Sequence, residues 1–170
     1  PHSLPPEQVY RVQRPIPPAG GQLGELLDRF NPATTEDRAL IRAFILTLFW
    51  GGEPGSRPAF LVTGPDKDER MGRGVGKTTV PSVLAQELTG GFVKVDHNEE
   101  MGTLITRLLS SEDGRKRLVL YDNVKTLKLS WGDLESFITS PIVSGKKLYA
   151  GEGQRPNSLI WAITLNGASL

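Results

Sequence analysis

Residues 59–79, AFLVTGPDKDERMGRGVGKTT, constrain the fold more than any other stretch. Ala59 to Thr63 reads as a short apolar strand, and a glycine-rich loop follows it into a helix opening at Gly76-Lys77-Thr78-Thr79. Such a passage turns several backbone N–H groups towards one point, where the helix N-terminus adds partial positive charge, so it suits an anion. The residue types are those of a phosphate-binding loop. Glycines let the backbone wrap the anion, Lys77 reaches the β- and γ-phosphates, and the Thr78 hydroxyl takes one Mg²⁺ position. Gly72, Gly74, Val75, Gly76, Lys77, Thr78 and Thr79 are therefore the candidate nucleotide contacts. The spacing departs from the common pattern G-x-x-x-x-G-K-[ST], because Met71 stands where a glycine is usual. If Gly64 is the strand-end glycine, the loop carries seven additional residues, roughly Pro65 to Met71.

A chain of 170 residues is the size of one domain with a real core. Its net charge of +1 gives no bulk attraction to nucleic acid or membrane, so any basic site must be local. The absence of cysteine excludes disulfides and thiolate metal sites, and His2 and His97, the two histidines, are far apart. No apolar run approaches the ~18 residues of a membrane span, and no signal peptide is visible. A soluble, cytoplasmic protein without a membrane partner is expected. The sequence does not begin with Met and stops at Leu170 soon after a strand, which predicts a fragment of a longer protein.

Residues 1–20 hold six of the 13 prolines and read as an extended segment. The folded part is expected over 21–170. A short helix over 22–30 ends at Asn31-Pro32, and a longer one over 34–50 opens on Thr34 or Thr35 with Glu36 and Asp37 in its first turn. Beyond the phosphate loop, strands at 92–95, 118–121 and 159–165 alternate with helices at 82–88, 101–109 and 131–139. A strand–turn–strand element is expected within 146–153. The alternation predicts an α/β, three-layer arrangement, a parallel sheet flanked by helices behind a helical lead-in.

Ligands of such sheets bind at the carboxyl ends of the strands. Asp122, ending LVLYD, suits water-mediated Mg²⁺ binding, although a strand ending in Asp is also an ordinary turn. Asn123 follows where a water-polarising glutamate is common. An amide orients water but takes no proton, so Glu99 and Glu100 are the alternative bases. Asn166, after the last strand, is placed to hold the attacking water near the γ-phosphate, and it also reads as a plain Asn-Gly turn.

The loop at Lys77, Asp122 and Asn166 together resemble the AAA+ ATPase core, over roughly residues 25–170. Their compactness, 89 positions from Lys77 to Asn166, is similar to superfamily three, the replication helicases of viruses, plasmids and phages. The resemblance implies ATP hydrolysis with Mg²⁺, a homo-oligomeric ring, and single-stranded DNA in its pore. It implies a hairpin before the last strand, with Lys146 and Lys147 near its tip and Tyr149 able to stack on a base. A solvated lysine pair accounts for the same residues. Arg155 is a candidate arginine finger, although the family more often carries that arginine after the final motif. The family's C-terminal lid is absent from this stretch. Two other readings stand beside the helicase: a nucleotide-gated oligomerising switch with little turnover, and a phosphate-loop kinase with Asp96 gripping the acceptor.

Overall fold

The computed structural model describes residues 22–64, 76–95, 99–124 and 131–165. The chain divides into two compact units, one ending at Gly52 and the other starting at Glu53.

The first unit contains α1 (Gln22–Arg29) and α2 (Thr35–Leu48). Thr34 caps α2 in the manner its sequence predicts. Its Oγ1 accepts from the Asp37 amide at 3.0 Å, and the Asp37 carboxylate accepts the Thr34 amide at 3.1 Å. Two of the otherwise unpaired N–H groups at the helix start are thereby satisfied. Arg38 ties the two helices together through Asp28 and the Gly24 carbonyl.

The second unit is built on a four-stranded parallel sheet of β1 (Ala59–Val62), β2 (Phe92–Val95), β3 (Leu118–Val124) and β6 (Ile160–Leu165). Among the described residues its α-helices are α3 (Thr79–Thr89), α4 (Met101–Leu108) and α5 (Trp131–Thr139). A two-stranded hairpin of β4 (Ile142–Lys147) and β5 (Gly151–Pro156) completes it. The hairpin is longer than the 146–153 expected from sequence. Spatial order in the sheet is β1-β6-β3-β2. From β1 the chain passes through α3 to the far edge at β2, returns through α4 to β3, and comes back through α5 and the hairpin to β6. The last strand thus fills the place between the first and the third.

Period-2 alternation sorts the buried residues onto two faces. Val93, Val95, Val119, Tyr121, Trp161 and Ile163 form one core with Leu104 and Leu108 of α4, Leu134 of α5 and Val143 of β4. Leu118, Leu120, Ile160 and Ala162 lie on the opposite face. There α3, with Pro81, Leu84 and Ala85 buried, packs across β2 and β3. Pro81 sits in the first turn of α3, between the Val80–Gly76 and Ser82–Thr78 hydrogen bonds, and its missing N–H leaves out one bond of that turn.

The β3–β6 ladder is regular from Leu118 to Tyr121 and then shifts, so that Val124, not Asn123, pairs with Leu165. Asn123 is the additional residue of this bulge, with φ of 60°. Asparagine tolerates that left-handed conformation better than most residues. The bulge leaves Asp122 on the α3 face at the strand's carboxyl end and returns Val124 to the α4 face, where it joins that core.

Candidate nucleotide site

The start of α3 and the end of β3 meet at the carboxyl edge of the sheet. Gly76 has φ of 84°, a conformation that costs glycine little and turns the chain into the helix. Helical hydrogen bonding begins there, with the Val80 amide donating to Gly76 O at 3.0 Å. Thr78 adopts helical backbone angles and its side chain makes no cap; the hydroxyl reaches across to β3 instead. Thr78 Oγ1 donates to Asp122 Oδ1 at 2.6 Å. Thr164 Oγ1, on the last strand, donates to the same oxygen at 2.7 Å and accepts from the Asn123 amide at 2.7 Å. Lys94 Nζ lies 3.3 Å from Asp122 Oδ2.

Burial alone raises the Asp122 carboxyl. The hydrogen bonds from Thr78, Thr164 and Lys94, with the Lys94 charge, outweigh it and hold the group below the usual carboxylate range. The site therefore keeps a full negative charge at neutral pH. In the residue before Thr78, Lys77 Nζ is buried and has no hydrogen-bond partner among the described residues. An ammonium withdrawn from water with nothing to donate to is costly, and an anion is the partner whose arrival removes the penalty. Phosphate fits that requirement.

Among the described residues no group of three or more His, Cys, Asp or Glu side chains is arranged to hold a metal ion. A cation here would be shared by Thr78, Asp122 and substrate oxygens. That division suits Mg²⁺, which is usually held by one or two carboxylates together with phosphates and water.

The tertiary structure thus brings together Gly76, Lys77, Thr78, Asp122 and Asn123. Thr79, the first residue of α3, is exposed. Gly72, Gly74, Val75, Asp96 and Asn166 lie outside the described residues. Glu99 accepts two hydrogen bonds from Arg107 Nη1, both of 2.8 Å, and Arg107 also reaches Asp113. Its carboxylate is thereby engaged in an ion-pair network between β2 and α4. Glu100 stands at the N-cap of α4 without a side-chain cap bond.

Arg155 lies in β5 of the hairpin. Its Nη1 donates to the Gly114 carbonyl of the same chain, which braces β5 against the 3-10 turn at Asp113–Arg115. Lys146 and Lys147 end β4 exposed, and Tyr149 in the connecting turn is fully exposed, with φ of 60°. Lys146 pairs in register with Glu152.

Sequence reading missed Thr164 and Lys94. The signals were a lone hydroxyl in the buried run IWAITL, where Thr164 is 1% exposed, and a lone charge in the strand FVKV.

No protein-family model and no curated protein matches the chain. Solved structures do. The apo A form of the NrS-1 C-terminal region aligns with a TM-score of 0.58 at 14% identity, over 98% of this chain and 37% of its own. JCV helicase, bound to an aromatic acetamide, aligns with a TM-score of 0.51 at 18% identity, over 85% of this chain and 39% of its own. The chain spans well under half the length of either. Identities this low establish a shared fold: an α/β parallel sheet flanked by helices, of the kind seen in the JCV helicase. No helix among the described residues is long and apolar enough to cross a membrane.

Proposed function

We propose that this chain is the nucleotide-binding core of an AAA+-type ATPase, resembling superfamily three replication helicases, that hydrolyses ATP and moves along single-stranded DNA as a homo-oligomeric ring. The observation that carries the reading is the buried Lys77 ammonium, without a hydrogen-bond partner among the described residues, one residue before the Thr78–Asp122 hydrogen bond. In this reading Lys77 neutralises the β- and γ-phosphates, and the first amides of α3 receive phosphate oxygens. Thr78 and Asp122 would hold Mg²⁺, which when bound neutralises charge on the transferring phosphoryl group. Asn166 and Asn123 orient the attacking water. Catalysis is then mainly positioning and electrostatics. Lys146, Lys147 and Tyr149, all exposed at one end of the hairpin, suit a nucleic-acid backbone and a stacked base.

A second reading, a nucleotide-gated switch with little turnover, is favoured by one feature. The position after Asp122 is an amide held in a left-handed bulge, and the carboxylate of Glu99 is bonded to Arg107. Neither supplies a base.

Steady-state ATP hydrolysis with and without single-stranded DNA, on a chain extended past Leu170, distinguishes the two, with Lys77→Ala as control. Turnover that rises with DNA and vanishes in the control is the expected result. Tight ATP binding with negligible, DNA-independent turnover overturns the motor and leaves the switch.

A further inference from the structure

The arrangement around Asp122 assigns a role to Lys94 that the phosphate-loop pattern does not contain. Lys94 is the charged residue of β2, whose neighbours Val93 and Val95 face the α4 core. Its own side chain consequently lies on the α3 face. It pairs in register with Leu120, two residues before Asp122 on the same face of β3. Its ammonium approaches Oδ2 at 3.3 Å, while Oδ1 takes both threonine hydroxyls. The carboxylate is thus divided, with neutral donors on one oxygen and a cation on the other.

The Lys94 backbone is anchored, because its carbonyl accepts from Arg107 Nη1 at 3.1 Å. Its side chain is 57% exposed, whereas that of Asp122 is only 17% exposed. The ammonium can therefore leave by changing rotamer without disturbing the strand, and water is ready to solvate it. A divalent ion held by Thr78 and Asp122, directly or through water, would stand within a few ångströms of that ammonium. Two cations that close repel strongly in a partly buried site.

Resting on the nucleotide-binding reading above, we propose that Lys94 is a resident counter-cation of Asp122, which a divalent cation must displace when it arrives with the nucleotide phosphates. Metal alone then competes poorly for the carboxylate. The metal and the phosphates, which also engage Lys77, fill the site together.

The test is the Mg²⁺ dependence of binding a fluorescent N-methylanthraniloyl ATP analogue, measured in chelator and along a MgCl₂ titration. Lys94→Met is expected to lower the half-saturating Mg²⁺ concentration by on the order of tenfold and to weaken metal-free binding, because Asp122 is then uncompensated. Lys94→Arg, which keeps the charge, should follow the wild type. In an Asp122→Asn background, the effect of Lys94→Met on Mg²⁺ dependence should disappear. An unchanged or raised half-saturating Mg²⁺ concentration in Lys94→Met overturns the inference. So does an equal loss of affinity with and without metal, which would make Lys94 a phosphate contact. A wild-type chain that binds no analogue under any condition overturns the nucleotide reading itself, and this inference with it.

Discussion

Thr78 Oγ1 and Asp122 Oδ1 lie 2.6 Å apart although 44 positions separate them in the chain. One belongs to the start of a helix and the other to the end of a strand two places away from β1 in the sheet. Their hydrogen bond ties the residue that follows Lys77 to the carboxyl end of β3. Lys77 supplies the most direct test of that arrangement.

Lys77→Met should raise the stability of the ligand-free chain and remove its response to nucleotide. The substitution deletes a buried ammonium that has no partner among the described residues, and a gain of about 1 kcal/mol is expected. Thermal unfolding with and without Mg²⁺ and ATP checks both halves. A variant less stable than the wild type without ligand would contradict the unpaired burial.

Asp122 should leave an acid-side signature. Its pKa is lowered on folding, so the stabilisation is present above the ordinary carboxylate pKa of about 3.9 and is lost as pH falls through the lower folded-state value. Urea midpoints measured downward from pH 6 should fall less steeply in Asp122→Asn than in the wild type. Parallel curves would mean that the three donors contribute nothing net.

Gly145→Ala should loosen the hairpin from α4. A Cβ at Gly145 would meet Ile105 Cγ2 at 2.6 Å, closer than any real packing distance, so the Ile105 side chain must leave its rotamer or the strand and helix must part. A loss of about 1–3 kcal/mol is expected in chemical unfolding. Ile105→Ala in the same chain should recover part of it by opening the space.

Tyr149→Ala should separate binding from folding. The ring is fully exposed, so the unfolding midpoint should not move. Affinity for a short single-stranded oligonucleotide should fall by about 1–3 kcal/mol, the usual worth of one stacked base. Fluorescence anisotropy at two salt concentrations reads it. Equal affinity would remove the tip from the nucleic-acid interface.

Much of this molecule is legible without coordinates. The capping pair Thr34 and Asp37 and the apolar runs leading to Asp122 and Leu165 rest on neighbours within a few positions. Local sterics, hydrogen bonding and the alternation of a pleated strand act over that range, so the residue pattern alone specifies them.

Tertiary structure decided what depends on strand order and register. Inserting β6 between β1 and β3 put the Thr164 hydroxyl on Asp122, and pairing Lys94 with Leu120 brought an ammonium to its other oxygen. A threonine in an apolar strand and a lysine in a short one each have ordinary structural readings, and nothing local distinguishes them. Asn123 became a bulge because the ladder to β6 slips there, and Glu99 and Arg155 found partners on Arg107 and Gly114. Those outcomes follow from contacts between segments far apart in the chain, which periodicity and propensity do not encode.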